Sequence, residues 1–146
     1  MKKSLLIVAA VLTVLFSCKK DETTSPSKTE LISAHPWRMN AILFNGIDIF
    51  PSTDSCDWDN KYTFTTGGVY TEDAGPWKCD PADPQIVETS TWAFSNNENT
   101  ITFAAGTPDQ SDFNLVQLEA EVLKYKQTVS DSIFGTFDYE VQFVRY

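Results

Sequence analysis

The sequence predicts an all-β domain: a single small antiparallel barrel of about eight strands in up-and-down order. Three observations carry this. Short runs alternate polar and apolar residues, as in Lys61-Tyr62-Thr63-Phe64-Thr65, and a period of two marks a strand with one buried face. Turn-forming clusters separate the runs, among them Asn45-Gly46, Thr66-Gly67-Gly68 and Ser95-Asn96-Asn97-Glu98-Asn99. No segment keeps a 3.6-residue apolar period beyond a turn or two. Successive hairpins without long crossovers favour a meander that closes on itself, which removes exposed sheet edges.

Taken in order, a short helical turn is expected at Glu30–His35, then a first strand from Trp37 to Phe44. Asn45-Gly46 turns it into Ile47–Phe50, and a second short helical turn is expected around Asp54–Asn60. Lys61–Thr65 and Val69–Thr71 form a hairpin. Thr89–Phe94 runs into the asparagine cluster, and Thr100–Phe103 leaves it. Asp112–Leu118 and Glu121–Val129 make the next pair. Asp138–Tyr146 closes the chain with Tyr139, Val141 and Phe143 on one face.

The first thirty residues have a different character. Lys2 and Lys3 precede an apolar run from Leu5 to Phe16, interrupted only by Thr13. A helix of those residues is ~18 Å long, too short for a ~30 Å hydrocarbon core. It therefore reads as the apolar region of a signal peptide spanning residues 1–17. Its end, Leu15-Phe16-Ser17-Cys18, resembles the lipobox of bacterial lipoproteins. That resemblance implies cleavage before Cys18, lipidation of its thiol and acylation of its new amino group, and hence an outer-membrane lipoprotein. Several acyl chains on one residue give a stable anchor where a single chain does not. Lys19-Lys20-Asp21-Glu22 resembles the charged tract that carries some Gram-negative lipoproteins to the cell surface, and reads equally as a solvated charge run. Residues 18–30 are expected to be a disordered tether, and the folded domain to occupy residues 31–146.

Composition narrows the function. Of 146 residues, 11 are basic and 20 acidic, a net charge of −9. Losing Lys2 and Lys3 with the leader leaves nine basic residues against twenty acidic, or −11. Nucleic-acid binding draws on Lys and Arg neutralising phosphates, so that class is excluded. No phosphate loop, dinucleotide fingerprint or zinc spacing occurs, and no cofactor is expected. The single histidine, His35, would have to carry any triad or imidazole metal site alone. Asp54, Asp57 and Asp59 are the best oxygen-ligand group for a calcium ion, and equally a capped turn. No catalytic constellation emerges, and the protein is expected to be a monomer and not an enzyme.

Beyond Cys18 two cysteines remain, Cys56 and Cys79. In an oxidising envelope such a pair predicts a disulfide, contributing about 3 kcal/mol through chain entropy. Trp58 and Trp77 flank the pair, either covering the barrel mouth or packing on the disulfide.

Trp37, the cysteines bracketing Tyr62-Thr63-Phe64 and Gly67-Gly68-Val69-Tyr70, and Trp92 together make the chain similar to the lipocalin-like domains of small bacterial lipoproteins. The resemblance covers Leu31 to Tyr146. Lipocalins place an arginine of the last strand over a tryptophan of the first, at the closed end. Trp37 and Arg145 stand at the corresponding places, with His35 where the family has glycine. The alternative for Arg145 is to extend into water beside the terminus.

The inward faces of the expected strands carry Tyr62, Phe64, Trp92, Phe94, Phe103, Tyr125 and Phe143, with Gln127 as a polar handle. In an eight-stranded barrel such residues either fill the interior or line a cavity for one small ligand. The expected ligand is a small apolar or amphipathic molecule. The alternative is a filled barrel whose loops bind a protein or glycan at the cell surface.

Overall fold

Ser27 and Glu30 set where the folded unit begins. The Ser27 hydroxyl accepts the Glu30 N–H, and the Glu30 carboxylate accepts the Ser27 N–H at 2.7 Å, a reciprocal capping box. It starts helix α1, Lys28–Ser33, whose Ile32 is fully buried. The domain thus opens three residues before the expected Leu31, because the cap and Ile32 recruit residues whose composition alone reads as tether. The structure, a computed structural model, describes residues 25–133 and 135–146. The leader 1–17, Cys18 and the tract Lys19–Glu22 lie outside the described residues.

Nine strands follow: β1 (Trp37–Phe44), β2 (Ile47–Asp48), β3 (Lys61–Phe64), β4 (Val69–Asp73), β5 (Ile86–Ser95), β6 (Thr100–Phe103), β7 (Ser111–Leu118), β8 (Val122–Asp131) and β9 (Gly135–Arg145). Each of β3 to β9 pairs antiparallel with the next, and β9 returns to β1. β1 pairs with β3 in turn, so eight strands close a barrel and β2 is a two-residue flap on β1. The fold is the expected all-β up-and-down barrel.

One element differs. Ile47–Phe50 is strand only as far as Asp48, because the Asp48 carboxylate accepts the Phe50 N–H at 3.0 Å and Pro51 has no donor to continue a ladder. The chain turns there into a 3-10 turn at Phe50–Ser52, and a second occupies Ser55–Asp57. The Asn45-Gly46 turn forms with positive φ at both residues, +50° and +81°, which a two-residue hairpin of this type requires.

Two irregularities keep large side chains inside. A register shift between Met39 and Ala41 lets Trp37 and Met39, then Ile42 and Phe44, share the inner face with the inward residues of β9. A second, between Leu115 and Gln117, extrudes Val116 while Leu115 and Leu118 stay against the core.

The barrel has one sealed end and one open one. At the sealed end Trp37 is fully buried and donates its indole N–H to the Ile32 carbonyl at 2.8 Å, so α1 plugs the bottom. Phe64, Ile101, Leu123 and Phe143 fill the layer above it. The β1–β2 hairpin, the two 3-10 turns, the disulfide-bearing β4–β5 loop, the β6–β7 loop and the β8–β9 turn gather at the other end.

Candidate functional site

The seam between β1 and β3 shapes the site. Only Trp37 and Tyr62 pair across it, near the sealed end. Towards the open end the two strands are not laddered, and the gap is roofed by the 3-10 turns and the β4–β5 loop. Cys56 and Cys79 are joined in a disulfide with Cα atoms 5.2 Å apart, tying one roof segment to the other. Asp59 reinforces the tie by accepting the Trp77 N–H at 3.1 Å. Gly75, at φ +67°, lets the loop pass so close that a Cβ there would collide with the Asp59 backbone. Gln85 closes the base of the loop, donating to the Asp73 carboxylate at 2.7 Å and to the Gly75 carbonyl at 2.9 Å.

Two adjoining chambers lie beneath. The outer one, about 500 Å³, sits under the roof between Met39 and Ile42 on one side and Asn60 and Tyr62 on the other. The inner one, about 290 Å³, lies within the barrel among Tyr70, Phe103, Phe113, Tyr125, Tyr139 and Phe143. Met39, Tyr62 and Glu72 line both. Glu72 is fixed at this junction, its Oε1 accepting from Asn60 Nδ2 at 2.8 Å and from the Tyr62 hydroxyl at 3.2 Å.

The aromatic wall is built from tilted and edge-on contacts: Tyr62–Phe143 at 5.1 Å, Tyr70–Phe103 at 5.1 Å and Phe113–Tyr125 at 5.0 Å. Burial drives the Tyr62 phenol well above its ordinary pKa, and the Glu72 carboxylate adds to this. Burial does the same to Tyr70 and Tyr125, and it raises Tyr139 as well. All four therefore stay protonated at neutral pH and present a hydroxyl and a ring rather than a charge.

Four of the sequence-predicted ligand residues come together on the inner chamber: Tyr62, Phe103, Tyr125 and Phe143. The others do not line it. Phe64 and Trp92 pack edge-on at 5.3 Å in the core, Trp92 donating its indole N–H to the Thr65 carbonyl at 3.0 Å. Phe94 lies against Trp92 at 5.4 Å. Gln127 is half-buried on β8 opposite Tyr139, nearer the rim.

The expected Trp37–Arg145 pair is corrected in one respect. The two residues are register partners across β1 and β9, yet the Arg145 side chain is 56% exposed and ion-pairs with Glu121 at 3.1 Å. It is His35 whose ring packs on Trp37, at 4.4 Å. The Arg145 side chain extends into water rather than over the indole, because hydration outweighs burial of a guanidinium.

Asp54, Asp57 and Asp59 do not converge. Asp59 turns to the Trp77 amide, and Asp57 lies beside the disulfide. Among the described residues the one group with ligand spacing is Cys56, Asp57 and Cys79, and its two sulfurs are bonded to each other. Trp58 and Trp77 are both exposed, Trp77 by 74%; Trp58 packs on Phe50 at 5.9 Å and hydrogen-bonds Thr53.

Sequence reasoning missed Tyr70, Glu72 and Glu88 as lining residues. The alternation that signals them, Tyr70-Thr71-Glu72 and Glu88-Thr89-Ser90, straddles the expected ends of β4 and β5, which both run further. Against this geometry, no family model matches the chain and no curated protein matches it.

Proposed function

We propose that this chain is an exported, lipid-anchored lipocalin-like protein that binds a small apolar or amphipathic molecule in its barrel without chemically altering it. The observation that carries the reading is the pair of adjoining chambers opening at one end of a barrel plugged at the other. Their volumes, about 290 and 500 Å³, fall in the range of small-ligand sites. Support also comes from the open end itself, where Ile47, Trp58, Trp77, Val87 and Ile133 are exposed in the surrounding loops and strand starts. Apolar side chains around a mouth ease the passage of an apolar ligand out of water. The leader and Cys18 in the sequence support export and anchoring.

The test is titration with N-phenyl-1-naphthylamine, a neutral dye that fluoresces in apolar sites, of the wild type and of Ser111→Trp. Ser111 lines the inner chamber at the start of β7, where an indole would occupy the space. Saturable binding of one dye per chain, lost in a folded Ser111→Trp variant, is expected. Absence of binding to the wild type, or equal binding to both, would overturn the reading.

A second reading, an interaction module for a protein or glycan at the cell surface, draws on Trp77 and Ile133, the latter 82% exposed at the same end. Undiminished dye binding in Trp77→Ala, together with loss of adhesion to envelope material, would favour it.

A further inference from the structure

We propose that the cavity selects a cationic amphiphile, an organic ammonium whose head group lies at the chamber junction near Glu72 and Glu88 and whose apolar part rests against the inner aromatic wall. This rests on the reading of the barrel as a ligand site and names the chemistry of that ligand.

The first observation is register. Glu72 on β4 and Glu88 on β5 are direct partners in the antiparallel ladder, so both side chains leave the same face. That face is the inner one, since both residues line the inner chamber. Like charges directly opposed across two strands are unfavourable. Here the pair is kept and lines the inner chamber, with Glu88 still reaching water. A cation placed between the two carboxylates turns the repulsion into attraction.

The second observation is the charge of the walls as a whole. Asp57, Glu72, Asp83 and Glu88 line the two chambers, and Lys78 is the one basic residue among the described lining residues. Lys78 is already engaged, its ammonium donating to the Pro81 carbonyl at 3.0 Å and the Asp83 carbonyl at 2.6 Å. An anionic amphiphile such as a fatty acid would meet carboxylates with no free cation to receive it.

The third observation is the nature of the remaining wall. Tyr62, Tyr70 and Tyr125 line the inner chamber together with Glu72, which accepts the Tyr62 hydroxyl at 3.2 Å, and aromatic rings attract ammonium groups. A hard metal ion prefers a shell of oxygen ligands. Here the groups fixed on Glu72 are the Asn60 amide nitrogen and the Tyr62 hydroxyl, both donors, and most of the residues around it are aromatic.

The test compares three probes of equal chain length on the full chain: octyltrimethylammonium, octanoate and 1-octanol, followed by tyrosine and tryptophan fluorescence. The proposal expects octyltrimethylammonium to bind at least about tenfold more tightly than octanoate. Glu88→Gln, at an exposed position that leaves the core untouched, is expected to weaken octyltrimethylammonium about tenfold while leaving 1-octanol within about twofold. Octanoate or 1-octanol binding as tightly as the ammonium would overturn the cation preference and leave the amphiphile site standing. Failure of all three probes would overturn both. Calcium chloride alone, if it shifted the fluorescence and displaced the ammonium, would reassign the two glutamates to an inorganic cation.

Discussion

Glu72 and Glu88 stand directly opposite one another across the β4–β5 ladder, both facing the barrel interior. Like charges directly opposite across two strands are destabilising, on the scale of the roughly 0.2–1 kcal/mol that favourable cross-strand pairs contribute. Glu88→Gln is therefore expected to stabilise the ligand-free protein by about that amount, read as a raised urea midpoint at unchanged slope. Added salt should narrow the difference, since Glu88 is exposed enough to be screened. A variant less stable than the parent would mean that the two carboxylates do not repel as their register implies.

The tyrosines give the barrel a predictable alkaline limit. Tyr62, Tyr70, Tyr125 and Tyr139 each hold their phenol above the ordinary value of 10.0, chiefly through burial. A phenol harder to ionise in the folded state than in the unfolded one adds stability that is complete below the unfolded pKa. That contribution is lost as pH rises above it, because the unfolded chain releases its protons first. The unfolding midpoint should show no tyrosine-linked fall up to about pH 9 and then drop steeply above about pH 10. In a near-ultraviolet titration, phenolate absorbance from these four should appear together with loss of tertiary circular dichroism. Early phenolate signal from more than one of the five tyrosines in a still-folded protein would place water in contact with the buried rings.

The disulfide should matter for both stability and the site. Cys56 and Cys79 are 23 residues apart, and closing a loop of that size constrains the unfolded chain by about 3 kcal/mol. Replacing both by Ala is expected to lower unfolding free energy by about that much. It should also weaken dye binding, because the disulfide ties the two segments that roof the outer chamber. Unchanged binding in the double variant would show that the Asp59–Trp77 and Gln85–Asp73 hydrogen bonds hold the roof alone.

Arg145 offers a contrast with the lipocalin expectation. An exposed ion pair contributes under about 1 kcal/mol, so Arg145→Ala should change stability little. Trp37→Ala, which removes a fully buried indole and its hydrogen bond to Ile32, should cost about 3–5 kcal/mol. Comparable losses from the two substitutions in urea denaturation would restore Arg145 to a structural role.

The barrel was legible because its strands are amphipathic with period two and its turns are chemically explicit. Asn45, Gly46, Asn96 and Asn97 adopt the positive φ values that asparagine and glycine tolerate. The disulfide was legible as well, two cysteines in one short domain leaving few alternatives. The site was only partly legible, for two physical reasons. Strand ends carry weak patterns: the alternation marks β4 only to Thr71 and β5 only from Thr89, whereas the strands themselves include Glu72 and Glu88. Inward direction also does not say how deep a residue lies. Phe64 and Trp92 point inward like Tyr62, but they fall in the packed layer near the sealed end, whereas Tyr62 falls at the chamber junction. Depth depends on strand stagger around the closed sheet, a relation among all eight strands that no single strand's sequence contains.

Whether the barrel carries a small organic ligand is answered by native mass spectrometry of the full chain purified gently from the cells that make it. A reproducible adduct of a few hundred daltons is expected, one that disappears on denaturation and is absent from the folded Ser111→Trp variant. A protein of clean apo mass from the same preparation, or an adduct unchanged by filling the inner chamber, would contradict it.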